Sequence, residues 1–482
     1  MSIADNDIAR FLLVTSPLSL LLLGGCTLTA LASVRHRPGG AASLIYLVSV
    51  ALSLAMAVAL LFGLCKFNAT AAQEWYAQFQ RHFYADDFFY GWIIGVDIFL
   101  LFSGLVVTDD LVEPDVFGDS LALVLFSGCG IGLLLSAASL LMVFLGLEFL
   151  SLPVYVLVAS RRHDLNSCEA GLKYFLFGSL SSVFLMLAIA VTLSACGSLY
   201  FSDVERLILN MGHGAAAVAI GLFVVVVAFK LGLAPFHLWL PDAYEGAPTP
   251  ITGFMGSAVK LAGVAMALRL FWGPLLPAVQ SWSPVLSAVS IAAMVVGSLG
   301  GLAQKNLKRL LAYSSISHAG YLALGVAVVP HTLDAYALWF YVLSYGVMFV
   351  GLMGAFLILE KATGCGTLDS LNGLGFKRPV FAFCMTVCVL SAAGIPPLAG
   401  FTAKYMLFLS VVQNGRAGAA VVAVLSSLVS VYFYLRIVVA LYMTDSQRES
   451  VALAPGGRLV FSTLVLCAAL LVVLGFAPNT LL

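Results

Sequence analysis

The amino-acid sequence predicts an all-α polytopic membrane protein with about fourteen transmembrane helices. The 482 residues are 62% hydrophobic and 10% charged, with a mean hydropathy of +1.06, whereas soluble domains carry about 25% charged residues. The apolar residues form runs of about twenty, which is the length of helix that crosses a bilayer core. Only helices satisfy their backbone groups there without leaving an open edge. The composition therefore excludes a soluble enzyme.

The apolar runs give the helices in order along the chain. The predicted spans are 11–34, 41–65, 88–108, 120–137, 139–160, 168–196, 214–239, 249–272, 281–303, 309–329, 332–360, 379–411, 417–443 and 457–477. The third contains Asp97, which we expect near a membrane boundary and to which we assign no role. The connections between spans are too short to hold a separate extramembrane domain.

Charge and cysteine content exclude several kinds of partner. Twenty-three Lys and Arg balance twenty-three Asp and Glu, so no basic excess exists to neutralise nucleic-acid phosphates. The nine cysteines contain no C-x-x-C pair, and the chain lacks the patterns expected for Fe–S clusters, flavin or a dinucleotide. We therefore expect no nucleic-acid partner, and neither a metal nor a cofactor in this chain.

The distribution of Lys and Arg predicts the orientation in the membrane. Loops after odd-numbered spans hold twelve of these residues, and the opposite loops hold six. Because positive loops stay on the cytoplasmic side, both termini should lie on the periplasmic side of a bacterial inner membrane.

When the eighteen Lys and Arg counted as loop residues are set aside, five basic residues remain within the predicted spans, together with one deeply placed carboxylate. They are Lys173, Lys230, Lys260, Lys404, Arg436 and Glu148. An ion in a membrane span is costly and indicates function by default. A carboxylate that approaches or leaves a buried lysine can switch that lysine between protonation states. Arginine does not deprotonate in proteins, so we expect a structural role for Arg436.

Two spans are interrupted beside these charges. In the seventh, Gly232 and Pro235 follow Lys230; in the twelfth, Pro396 and Pro397 precede Lys404. Proline removes a backbone donor and frees carbonyls, which a cavity or a neighbour must then satisfy. In transporters, such paired breaks indicate inverted repeats with the ion site near the membrane centre.

Several of these residues have a structural alternative. Lys173 could extend to the membrane surface instead of lying inside, and Lys404 could do so near the end of its span. His318, in SSISHAGYLALG, fits a proton relay or simple helix packing. His237, after the first break, could likewise be a relay or a structural hydrogen-bonding group.

Several sequence motifs resemble those of the antiporter-like subunits of respiratory complex I. They are GLEFLSLPVYVL, GLKYFLFGSL, FKLGLAPFHLWLPDAYEGAPTPITGFMGSAVKLAG, NLKRLLAYSSISHAGYLALG and AGIPPLAGFTAKYMLF. The resemblance extends over about residues 88 to 443. It implies two inverted five-helix repeats with broken helices seven and twelve. The implied domains are 1–110 (helices 1–3), 120–272 (helices 4–8), 281–443 (helices 9–13) and 457–482 (helix 14).

The resemblance also implies roles for the charged residues. Glu148 and Lys230 would form an input pair modulated by Lys173, Lys260 and His318 a central relay, and Lys404 the output site. The first three spans receive no role.

The implied function is proton translocation in a quinone-reducing NADH oxidoreductase. NADH, FMN, Fe–S clusters and quinone would bind to partner subunits, which include other antiporter-like subunits. A cation/proton antiporter subunit and a passive membrane scaffold remain alternatives. The scaffold is disfavoured because apolar side chains would pack more stably than four buried lysines.

Overall fold

The computed structural model describes residues 7–34, 39–62, 81–108, 117–210, 213–328, 332–364, 366–444 and 457–478. Within these ranges the chain is helical and contains no β-strand, only three isolated bridges. The segment 109–116, which holds much of an acidic stretch of the sequence, lies outside the described residues.

Fourteen long helices, numbered α1 to α14, correspond to the fourteen predicted spans. Their bounds are α1 Ser16–Val34, α2 Gly39–Leu61, α3 Asp87–Val107, α4 Phe117–Leu135, α5 Leu140–Val158, α6 Leu165–Cys196, α7a His213–Leu231, α7b Trp239–Gly246, α8 Thr249–Phe271, α9 Val279–Leu302, α10 Leu307–Val326, α11 Thr332–Thr363, α12a Pro379–Ala393, α12b Ala399–Gln413, α13 Ala417–Tyr442 and α14 Arg458–Phe476. A short helix, Asp7–Val14, precedes α1, and another, Phe201–Leu207, follows α6.

Eleven helices of the described chain are long and apolar enough to cross a membrane. The other three are α4, α10 and α12, of which α4 and α12a are shorter apolar helices. Helix α10 is 20 residues long but carries Lys308, Arg309 and His318 among several serines. The predicted all-α membrane fold is confirmed.

Both predicted breaks are present. Helix α7a ends at Leu231, and Gly232 follows with φ of 70°. Helix α12a ends at Ala393, and Gly394 follows with φ of 82°. Glycine is the residue that adopts this left-handed conformation without steric cost. The predicted seventh span, 214–239, extends past the end of α7a and across the break to the start of α7b, which is a separate short helix that ends at Gly246.

The starts of α5 and α10 are built in the same way. The Ser139 side chain caps α5, and the Asn306 side chain caps α10; each accepts a bond from a backbone amide that has no partner within its helix. Ser139 also forms a bridge with Tyr200 after α6, and Asn306 forms one with Thr367 after α11. The number of residues between Ser139 and Tyr200 is the same as the number between Asn306 and Thr367.

Two arginines form a second pair of contacts whose separations along the chain are equal to each other. Arg269 Nε donates to the Leu135 carbonyl at the end of α4, and Arg436 Nη1 donates to the Leu302 carbonyl at the end of α9. Helices α4–α8 and α9–α13 are therefore two copies of one arrangement. Since equivalent helices are an odd number of crossings apart, the copies have opposite directions in the membrane. The structural role expected for Arg436 agrees with its carbonyl contact.

Asp97 does not lie near a boundary, as we expected from the sequence. It is at the middle of α3, is 0% exposed and accepts a hydrogen bond of 2.9 Å from Ser53 on α2. Its Oδ1 has no hydrogen-bond partner. The helix α3 is continuous through Asp97, and its neighbours enclose the carboxyl group.

A candidate proton path through the membrane centre

The first break places a lysine against the carbonyl that it frees. Lys260 Nζ donates to the Leu231 carbonyl, the last of α7a, at 2.9 Å and to the Ser315 carbonyl of α10 at 3.4 Å. Lys260 follows directly on a π-helical turn, Met255–Val259, inside α8, and such turns often mark functional sites. The lysine therefore connects the broken helix of the first repeat with the second repeat.

Lys230 faces a stripe of polar groups on α5. Its Nζ donates to Ser151 Oγ at 3.0 Å and to the Tyr155 hydroxyl at 3.5 Å. Glu148 precedes Ser151 by three residues and Tyr155 by seven, so the three share one helix face. The Ser182 hydroxyl donates to Glu148 Oε1.

Glu148 and Lys230 interact without direct contact. They are close enough for an electrostatic interaction, but among the described residues the salt bridges do not include this pair. Each group instead bonds to hydroxyls. A cavity of about 20 Å³ lies beside Lys230 and is also lined by Ser151, Ser181 and Gly263; this volume holds about one water molecule.

His318 lies at the centre of a cluster of hydroxyl groups. Its Nδ1 contacts the Tyr341 hydroxyl at 2.9 Å and its Nε2 contacts the Tyr434 hydroxyl at 3.2 Å. The Ser314 hydroxyl bonds to Tyr434 as well. In the neutral ring one nitrogen donates and the other accepts, so a buried histidine with a hydroxyl on each side can receive a proton on one side and release one on the other.

Lys404 binds the free carbonyl groups at the second break. Its Nζ donates to the Ala392 and Ala393 carbonyls, the last two of α12a, at 3.0 Å each, and to Ser427 Oγ on α13 at 2.9 Å. The side chain is buried and does not extend to the membrane surface, which was the structural alternative.

Lys173 lies elsewhere. Its side chain is 39% exposed and forms ion pairs of 2.7 Å with Glu169 and with Asp242 of α7b. Asp242 also pairs with Arg309 at 2.7 Å. These groups line a cavity of about 400 Å³ at one end of the bundle. The structure thus brings Lys173 to Glu169 and Asp242, and gives it no bond to Glu148, whose bonded partner is Ser182.

The described chain brings four of the six predicted site residues into one series inside the helix bundle, in which Lys260, His318 and Lys404 are buried and Lys230 is half-buried. Lys230, Lys260, His318 and Lys404 are all enclosed by polar groups of neighbouring helices, and Glu148 flanks the first of them. His237 has an unpartnered Nδ1 in the connection between α7a and α7b, and within the described part of the chain its side chain forms no hydrogen bond to this series.

Sequence reasoning missed most of the hydroxyl partners. Ser151, Tyr155, Ser427 and Tyr434 bind the predicted residues directly. A signal was present on α5 and α13, where hydroxyl side chains recur at spacings of three and four residues in otherwise apolar helices. Serine in a membrane helix so often bonds only to its own backbone that spacing alone carried little weight.

Comparison with known proteins gives a consistent picture. The sequence model of the NADH:quinone oxidoreductase/Mrp antiporter transmembrane family matches residues 137–430. The NADH-quinone oxidoreductase subunit N of Trichlorobacter lovleyi is 39% identical over 360 residues, which cover 73% of this chain and 74% of that relative.

Two solved structures have the same fold. A chain of the respiratory complex I of Thermus thermophilus, determined with bound aureothin, is 33% identical with a TM-score of 0.79, and the match covers 96% of this chain and 97% of that one. A chain of the Mrp complex of a Dietzia species is 20% identical with a TM-score of 0.78, covering 97% and 95%; this likeness concerns the fold alone. The chain belongs to the NADH:quinone oxidoreductase/Mrp antiporter transmembrane family.

Proposed function

We propose that the chain is a membrane-arm subunit of a proton-pumping NADH-quinone oxidoreductase. It moves protons through its buried lysine, glutamate and histidine side chains, and the quinone is reduced in other subunits. The identity of about two fifths with subunit N of a quinone-reducing enzyme and the match to a complex I chain over nearly the full length support this assignment.

The observation that carries the proposal is the bridge made by Lys260. One ammonium group binds a carbonyl freed by the first break and a carbonyl of the second repeat. A lysine in this position lies between two groups of polar side chains. In the proposed path, Lys230 and its hydroxyl partners precede Lys260, and His318 follows it. A purely structural crosslink between helices would be more stable with apolar side chains.

The mechanism is electrostatic. Movement of neighbouring membrane subunits changes the distance between Glu148 and Lys230. When the carboxylate withdraws, the ammonium form of Lys230 loses stabilisation and its proton moves toward Lys260, His318 and Lys404. When the carboxylate returns, Lys230 takes up a proton again. Lys173 modulates Glu148 only indirectly in this scheme, through the ion pairs that hold α6 against α7b.

The chain itself contributes no redox group to this scheme. NADH, FMN, Fe–S clusters and quinone bind to partner subunits, and other antiporter-like subunits adjoin this one in the bilayer. The protein spans the bacterial inner membrane with both termini on the periplasmic side, as the excess of positive charge in the loops after odd-numbered helices indicates.

Substitution of Lys230 tests the function. In the assembled complex reconstituted in vesicles, Lys230→Ala should reduce both proton pumping and the coupled quinone turnover by about a hundredfold, within the range expected for loss of a proton-transfer group. Lys305→Ala, which removes an exposed lysine between α9 and α10, is the matched control and should leave both rates unchanged. Normal pumping by Lys230→Ala would remove Lys230 from the path.

The alternative is a cation/proton antiporter subunit, whose fold this chain shares. The purified protein distinguishes the two functions. A quinone-oxidoreductase subunit should co-purify with quinone-reducing subunits, and alone in vesicles it should give no sodium-dependent pH change. A sodium-driven pH change by the isolated complex without NADH would support the antiporter.

A further inference from the structure

One face of α13 carries hydroxyl groups between His318 and Lys404. Ser427, Ser430 and Tyr434 follow one another at spacings of three and four residues, so they form a stripe along one side of the helix. The remainder of α13 is largely apolar. This stripe lies between His318, a predicted relay residue, and Lys404, the predicted output site.

The two ends of the stripe bind His318 and Lys404. At one end the Tyr434 hydroxyl lies 3.2 Å from His318 Nε2. At the other end Ser427 Oγ accepts from Lys404 Nζ at 2.9 Å. A proton that leaves His318 through Nε2 therefore meets α13 first, and the last α13 group before Lys404 is a hydroxyl.

The middle of the stripe faces an unpartnered hydroxyl. Tyr321, one turn after His318 on α10, is 1% exposed, and its hydroxyl has no hydrogen-bond partner. Lys404 Nζ lies 5.8 Å from the centre of its ring. The Tyr321 hydroxyl lies near Ser430 and Ser427 but bonds to neither.

A structural role accounts for only part of this arrangement. Ser430 Oγ donates to the Ser426 carbonyl at 3.0 Å, which is a common way for serine to satisfy its hydroxyl within a membrane helix. The oxygen of Ser430 can still accept a bond. The Tyr321 hydroxyl has no such backbone partner, and an unmatched buried hydroxyl is costly. Phenylalanine would fit the apolar side of this position equally well.

We propose that Tyr434, Tyr321 and Ser427 conduct protons between His318 and Lys404, with one water molecule bound among the hydroxyls of Tyr321, Ser427 and Ser430. A buried water requires two to four polar partners, and these three groups supply them. This inference rests on the proposed pumping function and identifies the groups that carry the proton from His318 to Lys404.

The transfer is balanced at each group. The Tyr434 oxygen accepts the proton of His318 Nε2 as its own hydroxyl proton passes to the Tyr321 oxygen, and the Tyr321 hydroxyl proton passes to the water, so both tyrosines end neutral and neither is oxidised. The water in turn releases a proton through Ser427 to the neutral amine of Lys404. The hydroxyls must then rotate back before the next proton passes.

The decisive variant is Tyr321→Phe in the assembled complex reconstituted in vesicles. Because the Tyr321 hydroxyl has no protein partner, its removal costs no protein hydrogen bond, and we expect normal assembly. The pumping rate should fall about tenfold, corresponding to about 1.4 kcal/mol on the barrier. The solvent deuterium isotope effect on pumping should rise, because proton transfer along the stripe becomes rate-limiting.

The matched controls lie on the same helices. Tyr432→Phe changes a 62% exposed tyrosine of α13 and should alter neither rate nor isotope effect.

Two further changes test the stripe itself. Tyr434→Phe should reproduce the Tyr321→Phe result. Ser430→Thr and Ser430→Val add the same volume and differ in the hydroxyl, so only the valine variant should slow pumping.

The inference and the proposed function can fail separately. If Tyr321→Phe and Tyr434→Phe both pump with the rate and isotope effect of Tyr432→Phe, the stripe is not the path. If Lys230→Ala also pumps normally, the proposed function fails as well; if Lys230→Ala is inactive, only the stripe is excluded. A lowered rate with an unchanged isotope effect would mean that the hydroxyls are structural, and it would also overturn the inference.

Discussion

The two broken helices are equivalent in the repeats, yet the lysine that satisfies each break comes from a different helix. At the first break Lys260 of α8 binds the Leu231 carbonyl. At the second, the equivalent carbonyl of Ala393 is bound by Lys404 of α12b. Ser427 lies nine residues before Arg436, as Lys260 lies nine residues before Arg269, so it takes the corresponding position on α13, where it accepts a bond from Lys404.

This difference shows how one arrangement can serve two purposes. Lys260 also binds the Ser315 carbonyl of α10, so the first site connects the two repeats. Lys404 binds only groups of α12 and α13 among its hydrogen-bond partners in the described chain, so the second site is an end point within its own repeat. Each repeat thus provides one helix end with free carbonyl groups. The helix that carries the lysine decides whether that site passes a proton to the other repeat or is the last site of its own repeat.

The largest expected effect separates carbonyl binding from proton exchange at the two breaks. Lys260→Arg and Lys404→Arg retain donors for the carbonyls, but a guanidinium does not release its proton in a protein. Each variant should lower pumping by about a hundredfold or more when rates are normalised to assembled complex. Measurement is by proton uptake in vesicles driven by NADH.

An exposed lysine provides the control for these two variants. Lys305→Arg should pump normally. If either buried arginine variant pumped at the normal rate, the corresponding lysine would be a structural donor to carbonyls, and the comparison would reduce to helix packing.

A smaller effect is expected where α14 closes the second break. A Cβ atom on Gly475 would meet the Pro397 carbonyl oxygen and lie 2.8 Å from the carbonyl carbon of Leu398. Gly475→Ala should therefore destabilise the contact between α14 and the second break by about 1–3 kcal/mol, the usual cost of overpacking. The stability of the assembled complex to heating, read on native gels, measures this loss.

The same exchange at Gly418 is the control, because a Cβ there has open space around it. Gly418→Ala should leave stability unchanged or slightly raised. Equal stability of the two alanine variants would show that α14 does not constrain the second break.

The smallest effect concerns the equivalent arginines. Arg269 forms a salt bridge of 2.6 Å with Asp86, which caps α3, whereas the described contact of Arg436 is with the Leu302 carbonyl. Burial opposes ionisation of Asp86, but the hydrogen bonds and charge of Arg269 outweigh it and hold the pKa of this carboxyl below its ordinary value.

The sign of the pH dependence follows from this shift. A carboxyl whose pKa is lowered in the folded state contributes stability above its unfolded pKa, and the contribution is lost as pH falls through the folded value. Asp86→Asn should cost about 1 kcal/mol at neutral pH and nothing once pH is well below about 4. Thermal unfolding of the complex at a series of pH values measures it; an equal cost at every pH would exclude the ion pair as its origin.

Much of the fold was predictable because it depends on local sequence. Span length follows from bilayer thickness, and Gly232 and Gly394 with their following prolines mark both breaks. The buried lysines were also predictable, since an ion in an apolar run is visible without knowledge of its partners. The sequence repeat was not detectable, because the two copies share backbone contacts, such as those of Arg269 and Arg436, and little side-chain identity.

Partners distant in sequence could not be predicted. Lys404 binds Ser427 across a turn and a second helix, and Lys173 binds Asp242 rather than Glu148. Each contact depends on the packing of helices around the breaks, and hydropathy contains no information about that packing. Asp97 was misjudged for the same reason, because only the positions of α2 and α3 show that its carboxyl group is enclosed.

The central claim is that Lys230, Lys260 and Lys404 gain and lose protons during turnover. Nitrogen NMR of lysine-labelled complex, with each signal assigned by its Lys→Arg variant, measures the protonation of these groups with quinone oxidised and then reduced. The account predicts that at least one of the three changes between ammonium and amine when the quinone is reduced. Three amines that remain ammonium in both states would contradict it.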